Sequence, residues 1–198
     1  MFVPMGDDVN LPGRSCGSCT LCCKMFRIDS LAKPRDEWCR HCAIGRGCTI
    51  YDSRPVECRR FHCGYLFWPQ AGEHWFPGRS KMIIVSEMDG TLLSIHVDPA
   101  RPDAWRQAPY HADIRQWAAW AAPAGHRVTV FVGRRAIVIF PDRDVDLGIL
   151  AEDERTLVLC HRTPAGMHLE ALKVKADDPR LSSTAREIDP SDVARRTA

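Results

Sequence analysis

Cys16-Gly17-Ser18-Cys19-Thr20-Leu21-Cys22-Cys23 is a C-x2-C-x2-C-C run, and it decides how the N-terminal third of this chain folds. Cys39, Cys42, Cys48, Cys58 and Cys63 follow, so nine of the ten cysteines fall between positions 16 and 63. Few aliphatic residues and many turn formers accompany them across residues 14–65. A conventional apolar core is therefore not expected there, and bound metal would supply the missing folding free energy, as in small zinc domains. The expected fold class is α+β: a small irregular Cys-rich, metal-stabilised module, then an antiparallel β-sheet with one helix.

The rest of the composition sets the setting. At 198 residues the chain suits one domain, or a small module joined to a modest one. Hydrophobic residues at 45% and charged residues at 26% are ordinary for a soluble globular protein. A formal net charge of +2 gives no global drive toward nucleic acid or acidic membrane. The opening MFVPMGDDVNLPGR lacks a basic start followed by an apolar stretch, so no secretory signal is expected. No apolar run approaches the roughly 20 residues that span a bilayer. The expected location is the cytoplasm, where thiols stay reduced and clustered cysteines serve metal or catalysis rather than disulfides. Nine clustered cysteines also cannot all pair among themselves, and Cys160 lies far along the chain.

Residues 1–13, rich in Pro, Gly and Asp, read as a flexible or loosely docked arm. Residues 14–65 form the cysteine module. The stretch 67–80, FWPQAGEHWFPGRS, reads as a packed connector whose Phe67, Trp68, Trp75 and Phe76 form an apolar lid over the module or the sheet. Residues 66–176 read as antiparallel hairpins plus one helix. Lys81–Glu87 and Thr91–Val97 flank Met88-Asp89-Gly90, with Asp-Gly a strong turn signal. Arg127–Val132 and Ala136–Phe140 pair across Gly133-Arg134, and Arg155–Cys160 and Met167–Val174 across Thr163-Pro164-Ala165-Gly166. Trp105, Ile114, Trp117, Ala118 and Ala121 have roughly helical spacing, and Pro109 starts the regular helix near Tyr110. The polar tail 177–198 reads as irregular. Nucleophile elbow, phosphate loop and dinucleotide fingerprint are all missing from this part.

The metal chemistry follows from donor type and spacing. Zinc takes four tetrahedral N or S ligands, and short loops bring thiolates together. Cys16-x2-Cys19 and Cys39-x2-Cys42 are knuckle-like pairs, leaving Cys22, Cys23, Cys48, Cys58 and Cys63 for further coordination. Two isolated four-thiolate sites use eight sulfurs, whereas three metals sharing bridging thiolates use nine, so two or three zinc ions are favoured over one. Neighbouring Cys22 and Cys23 should point in different directions and serve two metal positions. His41 and His62 lie inside the module and read as surface or supporting residues, with a ligand role as the alternative. Iron is the rival metal: Cys16-x2-Cys19-x2-Cys22 repeats the opening of a bacterial ferredoxin run, although its spaced fourth cysteine and proline are missing. Thiolate softness alone does not separate the two.

Charge in the module fits the same reading. Arg14, Lys24, Arg27, Lys33, Arg35, Arg40, Arg46, Arg54, Arg59 and Arg60 stand against Asp29, Asp36, Glu37, Asp52 and Glu57. A divalent metal with four thiolates carries net −2, so nearby cations would stabilise it and depress thiol pKa values. A solvated face and phosphate contact are the other uses of these arginines. Asp52 or Ser53 is expected to cap a helix with Pro55 in its first turn, placing Cys58 where the dipole favours thiolate.

Together these residues resemble the zinc- or iron-chelating domain family, the YkgJ-type or CxxCxxCC cysteine-cluster proteins. The likeness rests on Cys16, Cys19, Cys22 and Cys23, on Gly47-Cys48-Thr49-Ile50-Tyr51, on Arg54-Pro55 and on Cys58-Arg59-x-Phe61. Trp38-Cys39-Arg40-His41-Cys42 fits a cysteine-richer version. The resemblance covers about residues 14–65, implies metal chelation, and leaves zinc against iron open.

The leading expectation is a metal-binding cluster protein. The cluster is structural, or stores and hands over metal, and the β-rich part offers a surface to a protein partner. An iron–sulfur or iron-dependent redox protein or enzyme is the alternative, with His41, His62, Tyr51 and Asp52 nearest the cluster. A nucleic-acid-binding zinc module through Arg40, Arg46, Arg54, Arg59 and Arg60 is less favoured. Cys160 reads as a small core residue at a strand end, and His74, His96, His111, His126, His161 and His168 form no metal-binding pattern.

Overall fold

The computed structural model describes residues 10–87, 90–163 and 166–181. Residues 1–9 of the arm, Met88 and Asp89 of the first turn, Pro164 and Ala165 of the third, and 182–198 of the tail lie outside the described residues. The N-terminal module carries α1 (Leu21–Met25), α2 (Val56–Arg60), α3 (Gly64–Phe67) and a two-stranded ladder, β1 (Cys42–Ala43) with β2 (Gly47–Cys48). After α4 (Pro77–Ser80) come β3 (Met82–Glu87), β4 (Leu92–Val97), α5 (Tyr110–Ala121), β5 (Arg127–Val132), β6 (Arg135–Ile139) and β7 (Asp144–Ile149). A long hairpin, β8 (Glu154–Thr163) and β9 (Gly166–Lys175), follows. The fold class is α+β, as expected. Among the described residues no helix is long and apolar enough to cross a membrane.

The central sheet has the order β3-β4-β5-β6-β7. Its pairings are antiparallel except one: β4 and β5 run parallel, with Leu93 opposite Val128 and Ile95 opposite Val130. The expectation of a wholly antiparallel sheet is corrected there. The chain between these strands contains α5, which returns it to the starting end of the sheet, as a crossover must. Strand β7 was not expected from the sequence. It pairs with β6 through a register shift at Ala136/Ile137, and its Asp146 meets Arg135 across the pair.

Side-chain alternation gives the sheet two apolar faces. On one, Met82, Ile84, Leu93, Ile95, Val97, Val128, Val130, Ile137 and Ile139 pack with Ile114, Trp117, Ala118 and Ala121 of α5. The connector closes this core: Trp68 and Trp75 pack tilted against Trp117 with ring centroids 4.5 and 4.7 Å away. Trp75 donates its indole N–H to Asp113 at 2.8 Å, and His74 bonds the same carboxylate at 2.6 Å. On the other face, Val138 and Phe140 pack with Leu169 of β9. Ile83 on that face packs with Leu21 and Met25 of α1. The cysteine module thus rests on the β3 end of the sheet.

Two further contacts fix it there. Lys24 of α1 reaches Asp98 at 2.6 Å, both side chains largely buried. Phe26 lies edge-on to His96 at 5.2 Å and 4.9 Å from Phe61, while His96 stacks on Phe131 at 5.3 Å. Gly64 is needed where α3 meets the sheet, because a Cβ there would stand 2.8 Å from Ile84 Cγ2. The arm is docked at its described end, where Leu11 N–H donates to the Leu66 carbonyl at 2.7 Å.

Candidate metal centre

Short turns deliver the cysteines one after another. Gly17 takes φ 49°, a left-handed conformation easy only for glycine, and lets Cys19 N–H close back on the Cys16 carbonyl at 2.8 Å. Cys22 and Cys23 sit on α1. The Cys39 N–H donates to the Cys23 carbonyl and the Cys42 N–H to the Cys39 carbonyl, each at 3.0 Å. Cys42 then faces Cys48 across β1 and β2. Cys58 is on α2, and Cys63 immediately precedes α3.

These elements surround a cavity of about 630 Å³. Cys16, Cys19, Cys22, Cys23, Cys39, Cys48, Cys58 and Cys63 all line it. Cys42 joins the group through the hydrogen bond its thiol shares with Cys23. Cys16 is exposed and the other eight are half-buried. Phe26, Phe61, Phe76 and Ile83 give the cavity an apolar wall, so the sulfurs are partly withdrawn from water.

The thiols feel both that withdrawal and one another. Cys23 hydrogen-bonds to Cys22, which together with burial raises its pKa. The neighbouring pair therefore meets rather than diverging, because one turn of a five-residue helix lets both side chains turn toward the cavity. Burial, then the charge of Cys23, raises Cys42 to about 11. Burial raises Cys63 to about 12, with Cys19 and Cys16 adding to the shift. Burial also raises Cys16, against the pull of Arg54, and raises Cys19. Cys58 is raised too, by burial and by Cys23, Cys39 and Cys48.

That last shift corrects the expectation of a thiolate favoured by a helix end. Asp52 and Ser53 lie in a separate 3-10 turn, and Pro55 occupies the N-cap position with no side-chain cap. The helix is one turn long, so desolvation and neighbouring sulfurs outweigh its dipole. The module's cations do act as expected, Arg54 pulling Cys16 down and Lys33 pulling Cys23 down, but neighbouring thiols and burial outweigh them.

Lys33 is a buried cation of the module. It is only 6% exposed and donates to the carbonyls of Lys24 and Phe26 at the end of α1. Burial lowers its pKa, while Cys39 and Cys23 act to hold its charge. Arg54 lies over the Tyr51 ring at 3.8 Å and bonds the Tyr51 carbonyl at 3.1 Å. Arg46, Arg54 and Arg59 also reach the cavity wall. His41 and His62 line the same cavity, but Arg40 donates to Nε2 of His41 at 3.3 Å and Asn10 meets Nε2 of His62 at 3.1 Å.

The donor set suits a soft divalent cation: crowded thiols beside an apolar wall. Among the described residues, however, no three His, Cys, Asp or Glu side chains already stand at metal-holding spacing. The sulfurs ring the cavity instead of meeting at one point, so coordination requires their side chains to turn inward.

The remaining sequence candidates lie elsewhere. Cys160 is on β8 opposite Leu169, packed with the second apolar cluster. His111 bonds Asp144 at 3.0 Å, tying α5 to β7. His161 faces His168 across β8 and β9 and lies 3.4 Å from Glu170. Phe76 lines the cavity as the expected lid would, whereas Ile83 and Asp98, the partner of Lys24, shape the site without a signal of their own in the sequence. Ile83 and Asp98 lie beyond the cysteine run, and only the hydrophobicity of β3 hints at the contact.

Compared with family models, curated proteins and solved structures, the chain matches none of them.

Proposed function

We propose that residues 14–65 bind metal, with zinc favoured, through Cys16, Cys19, Cys22, Cys23, Cys39, Cys42, Cys48, Cys58 and Cys63. Two or three ions suit nine thiols, with bridging sulfurs in the second case. The cluster holds the module together or stores and hands over metal, and the β-rich part offers a surface to a protein partner. The likeness to the zinc- or iron-chelating cysteine-cluster family supports the same reading.

The observation that carries it is the gathering of one cluster around one cavity. Eight cysteines drawn from six separate segments line it, and the ninth bonds to Cys23. Ordinary core packing does not require this, since half-buried thiols contribute little apolar area. Thiolate coordination does require it. Bound zinc supplies a divalent charge that replaces thiol protons; Lys33 and the arginines offset the negative charge that remains.

Two consequences can be measured. Cys58→Ser is expected to lower zinc content and loosen the module, while Cys160→Ser keeps the zinc of the parent protein. Equal zinc in all three would refute the ligand set. Metal uptake is also expected to release protons, because the raised pKa values of Cys42 and Cys63 keep both thiols protonated near neutral pH. Zinc affinity should therefore rise with pH across the neutral range, and an affinity independent of pH would contradict thiol ligation.

A further inference from the structure

Cys23 is where thiols come into direct contact. Its sulfur shares hydrogen bonds with Cys22 and with Cys42. The backbone holds the Cys42 contact in place. Cys39 N–H donates to the Cys23 carbonyl, and Cys42 N–H to the Cys39 carbonyl, each at 3.0 Å. Gly45 N–H donates to Thr20 Oγ1 at 3.3 Å, which pins the turn between β1 and β2 to the residue before α1. Cys42 is thus held against α1 from both sides along the chain. Geometry then selects the partner of Cys23. Cys22 and Cys23 adjoin through a trans peptide. Such a peptide sets Cα atoms about 3.8 Å apart, whereas a disulfide spans about 4.4–6.8 Å. Cys48 is the ladder partner of Cys42, but the Cys42 thiol bonds Cys23 and Thr20, on the α1 side.

We propose that Cys23 and Cys42 are a thiol–disulfide exchange pair that reacts with small organic disulfides. The pair stands on its own geometry, and its effect on metal rests on the metal-binding reading. Cys42 is the less deeply buried of the two and reacts first. Its sulfur attacks one sulfur of a disulfide R–S–S–R, the S–S bond breaks, and one R–S⁻ leaves. Cys23 then attacks the Cys42 sulfur of the mixed disulfide, forms the Cys23–Cys42 bond and expels the second R–S⁻. Two protein sulfurs are oxidised, and one small disulfide is reduced to two thiolates. In the metal-free chain these take up the two cysteine protons. In the zinc-loaded chain the two sulfurs carry no protons, and the released thiolates carry away the negative charge the cysteines gave up. The ion thereby loses two donors, while the new bond closes the loop from α1 to β1. Two small thiols reverse the reaction and restore the donors. Metal release is coupled in this way to the thiol–disulfide balance around the protein.

The test treats the full chain, purified under anaerobic conditions, with glutathione disulfide. Remaining thiols are alkylated and the peptides mapped by mass without reduction, while released zinc is read with the colorimetric chelator 4-(2-pyridylazo)resorcinol. A Cys23–Cys42 bond is expected as the main intramolecular product, rising in step with zinc release. Cys23→Ser should stop at a mixed disulfide of Cys42 with glutathione. In the parent protein, a main bond from Cys42 to Cys48, a main bond elsewhere, or no intramolecular bond would overturn the pair and leave the metal reading intact. A Cys23–Cys42 bond with all zinc retained would uphold the pair and overturn its coupling to metal. Zinc-free parent protein that forms the bond would overturn the metal reading and leave the exchange pair standing.

Discussion

Stripping the metal is expected to melt residues 14–65 while the five-stranded sheet stays folded. The module's helices α1, α2 and α3 are five, five and four residues long, and its strands β1 and β2 are two residues each. Isolated helices shorter than about 12 residues are marginal in water, so local structure cannot sustain the module. Its buried aliphatic side chains are Leu21, Met25 and Ile28. At about 1.5–3 kcal/mol each, their burial is small beside a backbone ordering cost of about 1–2 kcal/mol per residue. Zinc–thiolate coordination contributes about 10–16 kcal/mol in zinc-finger peptides, enough to change the balance. Hydrogen exchange before and after treatment with a strong chelator reads the outcome. Protection should vanish across the module and persist in β4, β5 and β6. Unchanged protection in the module would show that metal does not hold it.

The second large effect lies on the opposite face of the sheet. Trp117→Ala should destabilise the sheet by about 3–5 kcal/mol, the range for removing a buried tryptophan. Trp117 is 1% exposed and packs against both Trp68 and Trp75, so the connector loses its anchor with it. The loss should appear as a lower denaturant midpoint in fluorescence from the remaining tryptophans. Bound zinc per folded chain should stay at the parent value, because Trp117 does not itself line the cavity. The two perturbations thus separate what holds each part: metal for the module, aromatic burial for the sheet. A Trp117→Ala protein of parental stability would remove α5 and the connector from the core account.

Much of this architecture is legible in the residues. The Val, Ile and Leu content of 82–87, 92–97, 127–132 and 135–139 marks the strands, and Pro109 and Pro123 bracket α5. Strand direction is less legible, because alternation along β4 and β5 is the same whether they run parallel or antiparallel. The helix between them is what makes the pair parallel. Strand β7 escaped notice because Asp144 and Asp146 interrupt its apolar pattern. Their partners explain the interruption: Arg115 and His111 for Asp144, Arg135 for Asp146. In the module, cysteine spacing identifies the set but not the grouping. The ties from Cys23 to Cys39, and of Cys63 to Cys19, join positions far apart in the chain through turns whose geometry spacing does not encode. The net direction of the thiol shifts is not legible either, because the count of arginines in the sequence carries no measure of the burial that opposes them.

The central claim is that the thiols around the cavity are metal ligands. Elemental analysis of anaerobically purified protein, with its absorption spectrum, tests it most directly. Colourless protein carrying about two or three zinc ions per chain is the predicted result. Brown protein with iron and acid-labile sulfide would replace zinc by an iron–sulfur cluster. Metal-free protein with a fully protected cysteine module would contradict the account.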